Sequence, residues 1–271
     1  MTVQNIFEVM VPHLLSPTPF REINDFLRQL LANQKALLRE QFVGLYLGGS
    51  LSLRAFNLDR SDIDFVAVTF GQLSPEIVLD LENLHAQLYA APSQWAKKLD
   101  GSYVPREILR HWTANRPPCP FVEGDQFQVT NQGSAVIQRH IIREHGVTIV
   151  GPDPHDFIDP VSVDEMQSSL CDMAEAWWRP ELDNPSWVTQ IRNQPFAILT
   201  MCRSLYILEH GDVASKAVAG RWAQKVLGQS WIEPIEWALE WPRGSATDHT
   251  ITALNLIAYT LDRLHQIDKR L

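Results

Sequence analysis

Residues 45–68 read LYLGGSLSLRAFNLDRSDIDFVAV, a segment that contains two apolar runs joined by a short polar connection. The first run, residues 42–47, enters a Gly-Gly-Ser turn at 48–50, and the second run begins with Asp-Ile-Asp at 62–64. Short apolar runs bounded by glycine or polar turns are typical of buried strands. We therefore predict a strand over 42–47 and a second strand over 63–70.

The two motifs carry side chains that suit a nucleotide and a metal ion. Gly49 lets the backbone approach a ligand closely, and the N–H groups of such a turn, together with the Ser50 hydroxyl, can donate hydrogen bonds to phosphate oxygens. Because side chains alternate along a strand, Asp62 and Asp64 share one face while Ile63 points into the core. Neighbouring carboxylates are ligands that magnesium prefers. We therefore expect Asp62 and Asp64 to hold Mg²⁺.

A third carboxylate follows after a predicted helix. Asp100 opens the run LDGSYV at 99–104, which we predict to be a strand that ends before Pro105. Asp100 is therefore a further candidate for the predicted site. Glu107 is the alternative, although it follows Pro105 and so lies beyond the predicted strand.

Hydrophobic periodicity changes near residue 155. Before this point it predicts helices over 20–39, 74–91 and 133–145 and a strand over 147–150, and we expect three prolines to break regular structure in between: Pro117, Pro118 and Pro120. After it, the periodicity is helical throughout, over about 163–178, 187–210, 214–227, 231–240 and 248–268. We predict an α/β (α+β) domain with a mixed sheet over 1–155 and an all-α helical bundle over 156–271.

Composition limits the partners and the location of the protein. The formal net charge of −9 disfavours nucleic acid and anionic membranes as partners and weakly favours a cationic small molecule. Cys119, Cys171 and Cys202 are odd in number and widely spaced, so we expect reduced thiols rather than disulfides or a zinc site. The sequence contains no apolar stretch long enough to span a bilayer, and its first residues carry no cluster of positive charge before an apolar run, so we expect neither a membrane span nor a signal peptide. We expect a cytoplasmic monomer.

The order of strand, Gly-Gly-Ser, about a dozen residues, Ser-Asp-Ile-Asp and strand resembles that of the DNA polymerase β-like nucleotidyltransferases. From about Pro19 to near its C-terminus, the whole chain resembles the aminoglycoside adenylyltransferases of the streptomycin 3''-/spectinomycin 9-modifying type. Besides residues 45–68, the supporting segments are GVTIVGP at 146–152 and AILTMCRSLYILEHGDVASKAVAGRWA at 197–223. The resemblance implies a nucleotidyltransferase domain followed by a helical domain, with the active site between them. It also implies a third carboxylate on a neighbouring strand, which takes the proton of the acceptor hydroxyl as general base and assists the metal, and Asp100 is the candidate for this role.

The resemblance also implies an activity: transfer of AMP from ATP to a hydroxyl of a small cationic acceptor, with Mg²⁺, in antibiotic resistance. At the matching positions of the family, an arginine and a lysine bind the ATP phosphates, and these are Arg203 and Lys216 here. A net acidic protein that binds a triphosphate needs such local cations. Together with Gly49 and Ser50, they form the expected nucleotide-binding set.

On the acceptor side, members of this family carry a tryptophan and acidic residues just ahead of the arginine helix. Trp187 and Asp183 are the corresponding candidates, and the chain departs from the family in having no Asp or Glu between Asp183 and Glu209. Three neighbouring side chains are further candidates: Trp177, Trp178 and Glu181. The resemblance implies an aminoglycoside-type antibiotic of the streptomycin or spectinomycin kind as the acceptor, and the departure on the acceptor side speaks against it, against streptomycin most of all.

Two other functions stay open at this point. One is a nucleotidyltransferase that modifies a protein or another aminated metabolite. The other is a non-catalytic nucleotide-binding or antitoxin-like module, which the intact set of three carboxylates disfavours. G-x-S-x-G, H-E-x-x-H and Walker-type motifs are absent from the sequence, so hydrolases, zinc peptidases and P-loop enzymes have no support.

Overall fold

The computed structural model describes residues 16–111, 113, 116–130, 135–241 and 245–268. The chain divides into two compact units, one ending at Pro160 and the other beginning at Val161. The division lies five residues beyond the boundary that we expected after residue 155. Each unit is described separately below.

The first unit is built on a six-stranded mixed sheet. Its strands are β1 (Phe42–Leu47), β2 (Ile63–Thr69), β3 (Leu99–Pro105), β4 (Cys119–Glu123), β5 (Gln126–Thr130) and β6 (Val147–Val150). They are arranged in the order β5-β4-β3-β2-β1-β6, in which the β2–β3 pair is parallel and the other pairs are antiparallel. This sheet, and the helices described below, confirm the fold class predicted from the sequence.

The helices of the first unit are α1 (Arg21–Leu38), a single turn α2 (Gly49–Ser52), α3 (Pro75–Ala90), α4 (Arg106–Arg110) and α5 (Ala135–His140). Helix α5 widens into a π-helical turn over Ile141–His145. Ser74 caps α3 by accepting a hydrogen bond from the Ile77 N–H, and Pro75 occupies the first helical position.

The two faces of the sheet bury different side chains. Phe65 and Tyr103 lie on the face that packs with α1 and α3. Val66 and Val104 lie on the opposite face, in a smaller core that includes Ile142 and Phe157. Because side chains alternate along a strand, Asp64 and Asp100 lie on this second face. Asp64 and Asp100 therefore lie on the face of the sheet that carries the smaller hydrophobic core.

The structure corrects the expectation that three prolines prevent regular structure after residue 116. Residues 119–123 and 126–130 form the β4–β5 hairpin, and Pro120 pairs with Val129 inside it. The pairing of β4 with β3 ends at Phe121, so the position of Pro120 has a strand neighbour on one side only. Proline lacks an N–H donor and is tolerated where no neighbouring strand needs one.

The second unit consists of helices joined by connections, and its described residues contain no strand. Its helices are α6 (Val163–Met173), α7 (Arg179–Asp183), α8 (Gln194–His210), α9 (Lys216–Val226), α10 (Ile232–Glu240) and α11 (Thr250–Asp268). A π-helical turn over Ala174–Trp178 joins α6 to α7. Ser162 and Glu165 form a capping box at the start of α6, and Gly211 ends α8 in the left-handed conformation.

The predicted start of the long arginine-bearing helix at residue 187 is wrong, because α8 begins at Gln194. The N–H groups of Trp187 and Val188 instead donate hydrogen bonds to the carboxylate of Glu181. Pro195 suits the first turn of a helix, where its missing N–H is not needed. Residues 184–193 therefore form a connection with a single 3₁₀ turn at Ile191–Asn193.

All three cysteine thiols are free, as expected. Burial raises the pKa of the Cys202 thiol to about 12 and also raises the pKa of Cys119. Within the described ranges, the structure contains no helix with the length and apolar character required to cross a lipid bilayer.

Candidate active site

The Gly-Gly-Ser turn lies directly against the first strand-borne carboxylate. Gly48 donates its N–H to the backbone oxygen of Asp64 over 3.0 Å, which fixes the end of β1 beside the start of β2. Gly49 has a φ of +52°, and a Cβ atom at this position would overlap the carboxylate of Asp64. Only glycine satisfies both the left-handed backbone and this close approach. The turn and Asp64 therefore form one structural unit.

The carboxylates of the first unit are aligned by the sheet register. Asp62 is exposed and immediately precedes β2, whereas Asp64 is half-buried within it. Ile63, between them, is fully buried. Asp64 and Asp100 are Cα partners on the parallel pair β2–β3, so both side chains project from the same face. The three acidic residues predicted for catalysis are thus brought together by adjacent strands.

A lysine that the sequence did not single out fixes the connection between the glycine turn and β2. The Lys98 ammonium donates hydrogen bonds to the backbone oxygens of Leu58 at 2.8 Å and Asp59 at 3.0 Å. Within the same connection, Asn57 accepts from the N–H groups of Asp59 and Arg60. These bonds hold the backbone that leads into Asp62. Lys98 immediately precedes β3, so it ties the connection to the strand that carries Asp100.

The β4–β5 hairpin adds a further carboxylate to the row. Glu123 is the Cα partner of Asp100 on the antiparallel pair β3–β4. Since neighbouring strands lie about 4.8 Å apart, the Cα atoms of Asp64, Asp100 and Glu123 span about 10 Å across three strands. The Glu123 side chain is exposed. Glu123 was not predicted as a neighbour of Asp100, because the hairpin itself was not predicted.

A cavity of about 250 Å³ opens beside these carboxylates in the first unit. Its walls are mainly apolar, and its polar lining includes Asp64, Ser102 and Arg116. The hydroxyl of Ser102 is buried and has no hydrogen-bond partner among the described residues. Burial lowers the pKa of the Arg116 guanidinium, with the nearby Cys119 thiol opposing the shift. The cavity thus combines an apolar surface with a few polar groups, as ligand sites commonly do.

Arg139 also lines the cavity, and its guanidinium donates hydrogen bonds to the backbone of neighbouring segments. It is 2 % exposed and donates to the backbone oxygens of Leu109 at 2.8 Å and Arg110 at 2.7 Å. These oxygens end the short helix α4, so the guanidinium caps the C-terminus of that helix. A third bond, to the backbone oxygen of Asp159, ties the last residues of the unit to the same point.

In the second unit, the predicted acceptor residue Trp187 belongs to an aromatic cluster. The Trp187 ring centroid lies 6.0 Å from that of Trp178 and 5.8 Å from that of Phe196, and the relative angles are close to edge-on. Trp187 is 37 % exposed and Phe196 is 48 % exposed. Large exposed aromatic surfaces of this kind favour binding of a ligand with apolar or cationic groups. Asp183 is exposed at the end of α7.

The two predicted phosphate-binding cations occupy different environments in this unit. Arg203 is half-buried on α8, whereas Lys216 is exposed at the first position of α9, which Ser215 caps. The Lys216 ammonium lies 5.3 Å from the centroid of the Phe196 ring. Phe196, which the sequence did not single out, therefore connects Lys216 with the aromatic cluster that includes Trp187.

This chain is similar to a known protein family and to several known proteins. Residues 157–264 match the family described as aminoglycoside adenylyltransferase, C-terminal domain. An aminoglycoside (3'') (9) adenylyltransferase of Rhizobium radiobacter is 32 % identical over 107 residues, which are 40 % of this chain and 37 % of the relative. A spectinomycin 9-adenylyltransferase of Campylobacter jejuni is 20 % identical, over 90 % of this chain and 98 % of the relative.

The chain is similar to the aminoglycoside adenylyltransferases. This similarity confirms the resemblance predicted from the sequence. The structure of spectinomycin adenyltransferase AAD(9) from Enterococcus faecialis, solved with ATP and spectinomycin, superimposes with a TM-score of 0.68 at 18 % identity. The match covers 89 % of this chain and 98 % of that protein, so the fold is shared. The matched segment is only 37 % of the length of the Rhizobium relative.

Proposed function

We propose that this protein is an adenylyltransferase that transfers AMP from ATP to a hydroxyl of a small cationic acceptor of the aminoglycoside type. The observation that carries the proposal is the register of β2 and β3, which sets Asp64 directly opposite Asp100 beside the Gly48–Ser50 turn. Carboxylates beside a glycine turn suit a metal-bound triphosphate. The similarity to aminoglycoside adenylyltransferases supports both the donor and the class of acceptor.

The acidic residues fit a magnesium ion. Asp62 and Asp64 offer hard carboxylate oxygens on both sides of a buried residue, and Asp100 offers a third from the next strand. Oxygen ligands from one or two carboxylates, completed by water and phosphate, are the usual protein environment of magnesium. When bound, the ion supplies charge neutralisation at the phosphates and orients the α-phosphate. Asp62 and Asp64 are the proposed ligands.

The remaining nucleotide contacts come from the turn and from two cations. The backbone N–H group of Gly49 and the hydroxyl of Ser50 donate hydrogen bonds to phosphate oxygens. Arg203 and Lys216 neutralise the negative charge that the triphosphate carries and that the leaving pyrophosphate retains. These assignments follow the family's pattern at the matching positions. The exposure of Lys216 leaves its ammonium accessible to a ligand.

The reaction joins the acceptor oxygen to the α-phosphorus of ATP. As the hydroxyl oxygen attacks, the bond from the α-phosphorus to the bridging oxygen breaks, and pyrophosphate leaves with the electron pair. Asp100 accepts the proton of the hydroxyl as general base. Trp187 and Asp183 are the proposed acceptor contacts in the second unit, with the tryptophan ring covering an apolar face and the carboxylate attracting an ammonium group. Modification of this kind would confer resistance to the acceptor antibiotic.

The first experiment is to measure pyrophosphate release by the purified protein with ATP and Mg²⁺. The panel of acceptors includes streptomycin, spectinomycin, an unrelated aminated metabolite and a protein mixture. Release that requires both Mg²⁺ and one of the two antibiotics, with an adenylylated product detected by mass spectrometry, would support the proposal. Asp80→Asn, on the exposed surface of α3, serves as the control for substitutions of the acidic residues.

The other outcomes identify the alternative functions. Release with the metabolite or the protein mixture alone would move the acceptor to another class while keeping the transfer of AMP. ATP binding without pyrophosphate release, whichever acceptor is added, would contradict the proposal and indicate a nucleotide-binding module.

A further inference from the structure

The strand order divides the candidate site into a leaving-group side and an acceptor side. In the proposed function, on which this inference rests, the triphosphate lies against the Gly48–Ser50 turn, next to β1 and β2. In phosphoryl-group transfer the attacking oxygen and the leaving oxygen lie roughly in line on opposite sides of the phosphorus. The acceptor hydroxyl must therefore approach from the direction of β3 and β4.

Glu123 lies on that acceptor side. It is the last residue of β4 and the Cα partner of Asp100, the proposed base. Its side chain is exposed and makes no hydrogen bond or ion pair within the part of the chain that the structure describes. An acceptor whose hydroxyl reaches Asp100 must therefore pass within a few ångströms of the Glu123 carboxylate, about one strand spacing away.

A second observation, independent of the acidic row, indicates a ligand on the same face of the sheet. Ser102 follows Asp100 by two residues on the same face of β3 and is the Cα partner of Phe121 on β4. It is 8 % exposed, it lines the cavity beside Asp64, and its hydroxyl has no hydrogen-bond partner among the described residues. A buried hydroxyl without a hydrogen-bond partner is unfavourable unless a ligand or water completes it.

The segment ahead of the arginine-bearing helix offers few negative charges for a cationic acceptor. Between Asp183 and Glu209 the chain has no acidic residue, and the Glu181 carboxylate already accepts two backbone hydrogen bonds from the loop that carries Trp187. A carboxylate beside Asp100 would supply a further negative charge for the acceptor.

We propose that Glu123 is an acceptor-binding residue that pairs with an ammonium group of the acceptor, beside the hydroxyl that Asp100 deprotonates. Ser102 completes the same subsite by a hydrogen bond to a polar group of the acceptor. The hairpin thus determines which aminated acceptors are modified, while Asp62, Asp64 and Asp100 carry out the transfer. Glu123 binds and orients the acceptor and takes no proton itself.

The test compares Glu123→Gln with Glu82→Gln, a matched loss of one negative charge on the exposed surface of α3, which packs on the other face of the sheet. For an aminated acceptor that the wild-type protein adenylylates, we expect Glu123→Gln to raise the acceptor KM by roughly 5- to 10-fold. The KM for ATP and kcat should stay close to their wild-type values. Raising the salt concentration should raise the acceptor KM of the wild type more than that of Glu123→Gln.

A second variant, Ser102→Ala, tests the other member of the subsite. We expect about a 3- to 10-fold increase in acceptor KM without a fall in Tm, since the hydroxyl has no partner among the described residues to lose. An unchanged acceptor KM in Glu123→Gln, with Asp64→Asn inactive, would overturn the inference and leave the proposed function intact. Absence of transfer by the wild-type protein to every acceptor would overturn both.

Discussion

The two units of this protein hold their candidate site residues by different means. In the first unit, Asp64 and Asp100 are fixed by the ladder of a central parallel strand pair. In the second unit, Trp187 lies on a connection between helices, whose backbone is held by the Glu181 carboxylate, by the side chain of Asn193 and by local turns. The proposed metal and base residues thus lie on paired strands, whereas the proposed acceptor contact Trp187 lies on a connecting segment. Four predictions test this difference.

The largest effect is expected at Asp64. Asp64→Asn retains the shape of the side chain but removes the charge that holds magnesium, so we expect kcat to fall by about a thousandfold or more. Tm should remain near that of the wild type, because the residue is only half-buried. Asp80→Asn provides the control and should keep full activity. Normal turnover by Asp64→Asn would contradict the metal assignment.

Gly49→Ala should disrupt the site through the backbone. A left-handed φ costs a non-glycine residue about 1–2 kcal/mol, and the new methyl group would overlap the Asp64 carboxylate. We expect about a hundredfold loss of kcat and a lower Tm. Gly71→Ala is the matched control, because a Cβ atom there meets no other atom within 4 Å. Equal activities of the two variants would show that the contact between the turn and Asp64 is not needed.

On the opposite face of the sheet, a buried histidine makes the stability of the first unit depend on pH. His85 lies 2.7 Å from the Tyr103 hydroxyl, to which Gln34 also donates, and burial lowers the pKa of His85 to about 4. Since its folded pKa lies below the unfolded value near 6.5, neutral His85 favours the folded state above that pH, and this contribution is lost as the pH falls towards 4.

We expect acidification from pH 8 to pH 5 to lower the free energy of unfolding by about 2 kcal/mol more in the wild type than in His85→Gln. Urea denaturation at both pH values measures the difference. The same loss in both proteins would mean that His85 is protonated without cost in the folded state.

The smallest effect is expected in the second unit. Glu181→Ala removes the acceptor of two backbone hydrogen bonds and should loosen the connection that carries Trp187. We expect the acceptor KM to rise by roughly 3- to 5-fold, with kcat and the ATP KM little changed. Glu209→Ala, on the exposed surface of α8, is the control. A loss of kcat as large as that of Asp64→Asn would remove the distinction between the two units.

The difference between residues on paired strands and residues on a connection also explains which features could be predicted from the sequence. The first three strands were predicted to within a residue or two, because apolar runs bounded by turns identify central strands. The β4–β5 hairpin was missed, since Pro120 is unusual in a strand and only the pairing pattern shows why it is tolerated. Glu123 was missed with it. Its place beside Asp100 depends on register, which a single sequence does not reveal.

In the second unit, the helices were found but the start of α8 was misplaced by seven residues, at 187 instead of Gln194. Apolar spacing continues through the segment that contains Trp187 and Val188, but a helix that began at 187 would place Pro195 in its interior, where proline removes a hydrogen bond and clashes with the preceding turn. Pro195 instead lies in the first turn of α8. Trp187, Asp183, Arg203 and Lys216 keep their assigned roles as predictions.

The β4–β5 hairpin also has a consequence for how such a protein can diversify. The hairpin lies at one edge of the sheet, where β5 pairs with a strand on one side only among the described residues. The turn at Gly124 that joins β4 to β5 is short. Marginal hairpins accept changes of length and sequence that interior strands do not. Exchange of this one segment between related proteins would therefore alter the surface next to Asp100 while β2 and β3 stay unchanged. If Glu123 binds the acceptor as proposed, exchange of the hairpin would change which acceptors are modified.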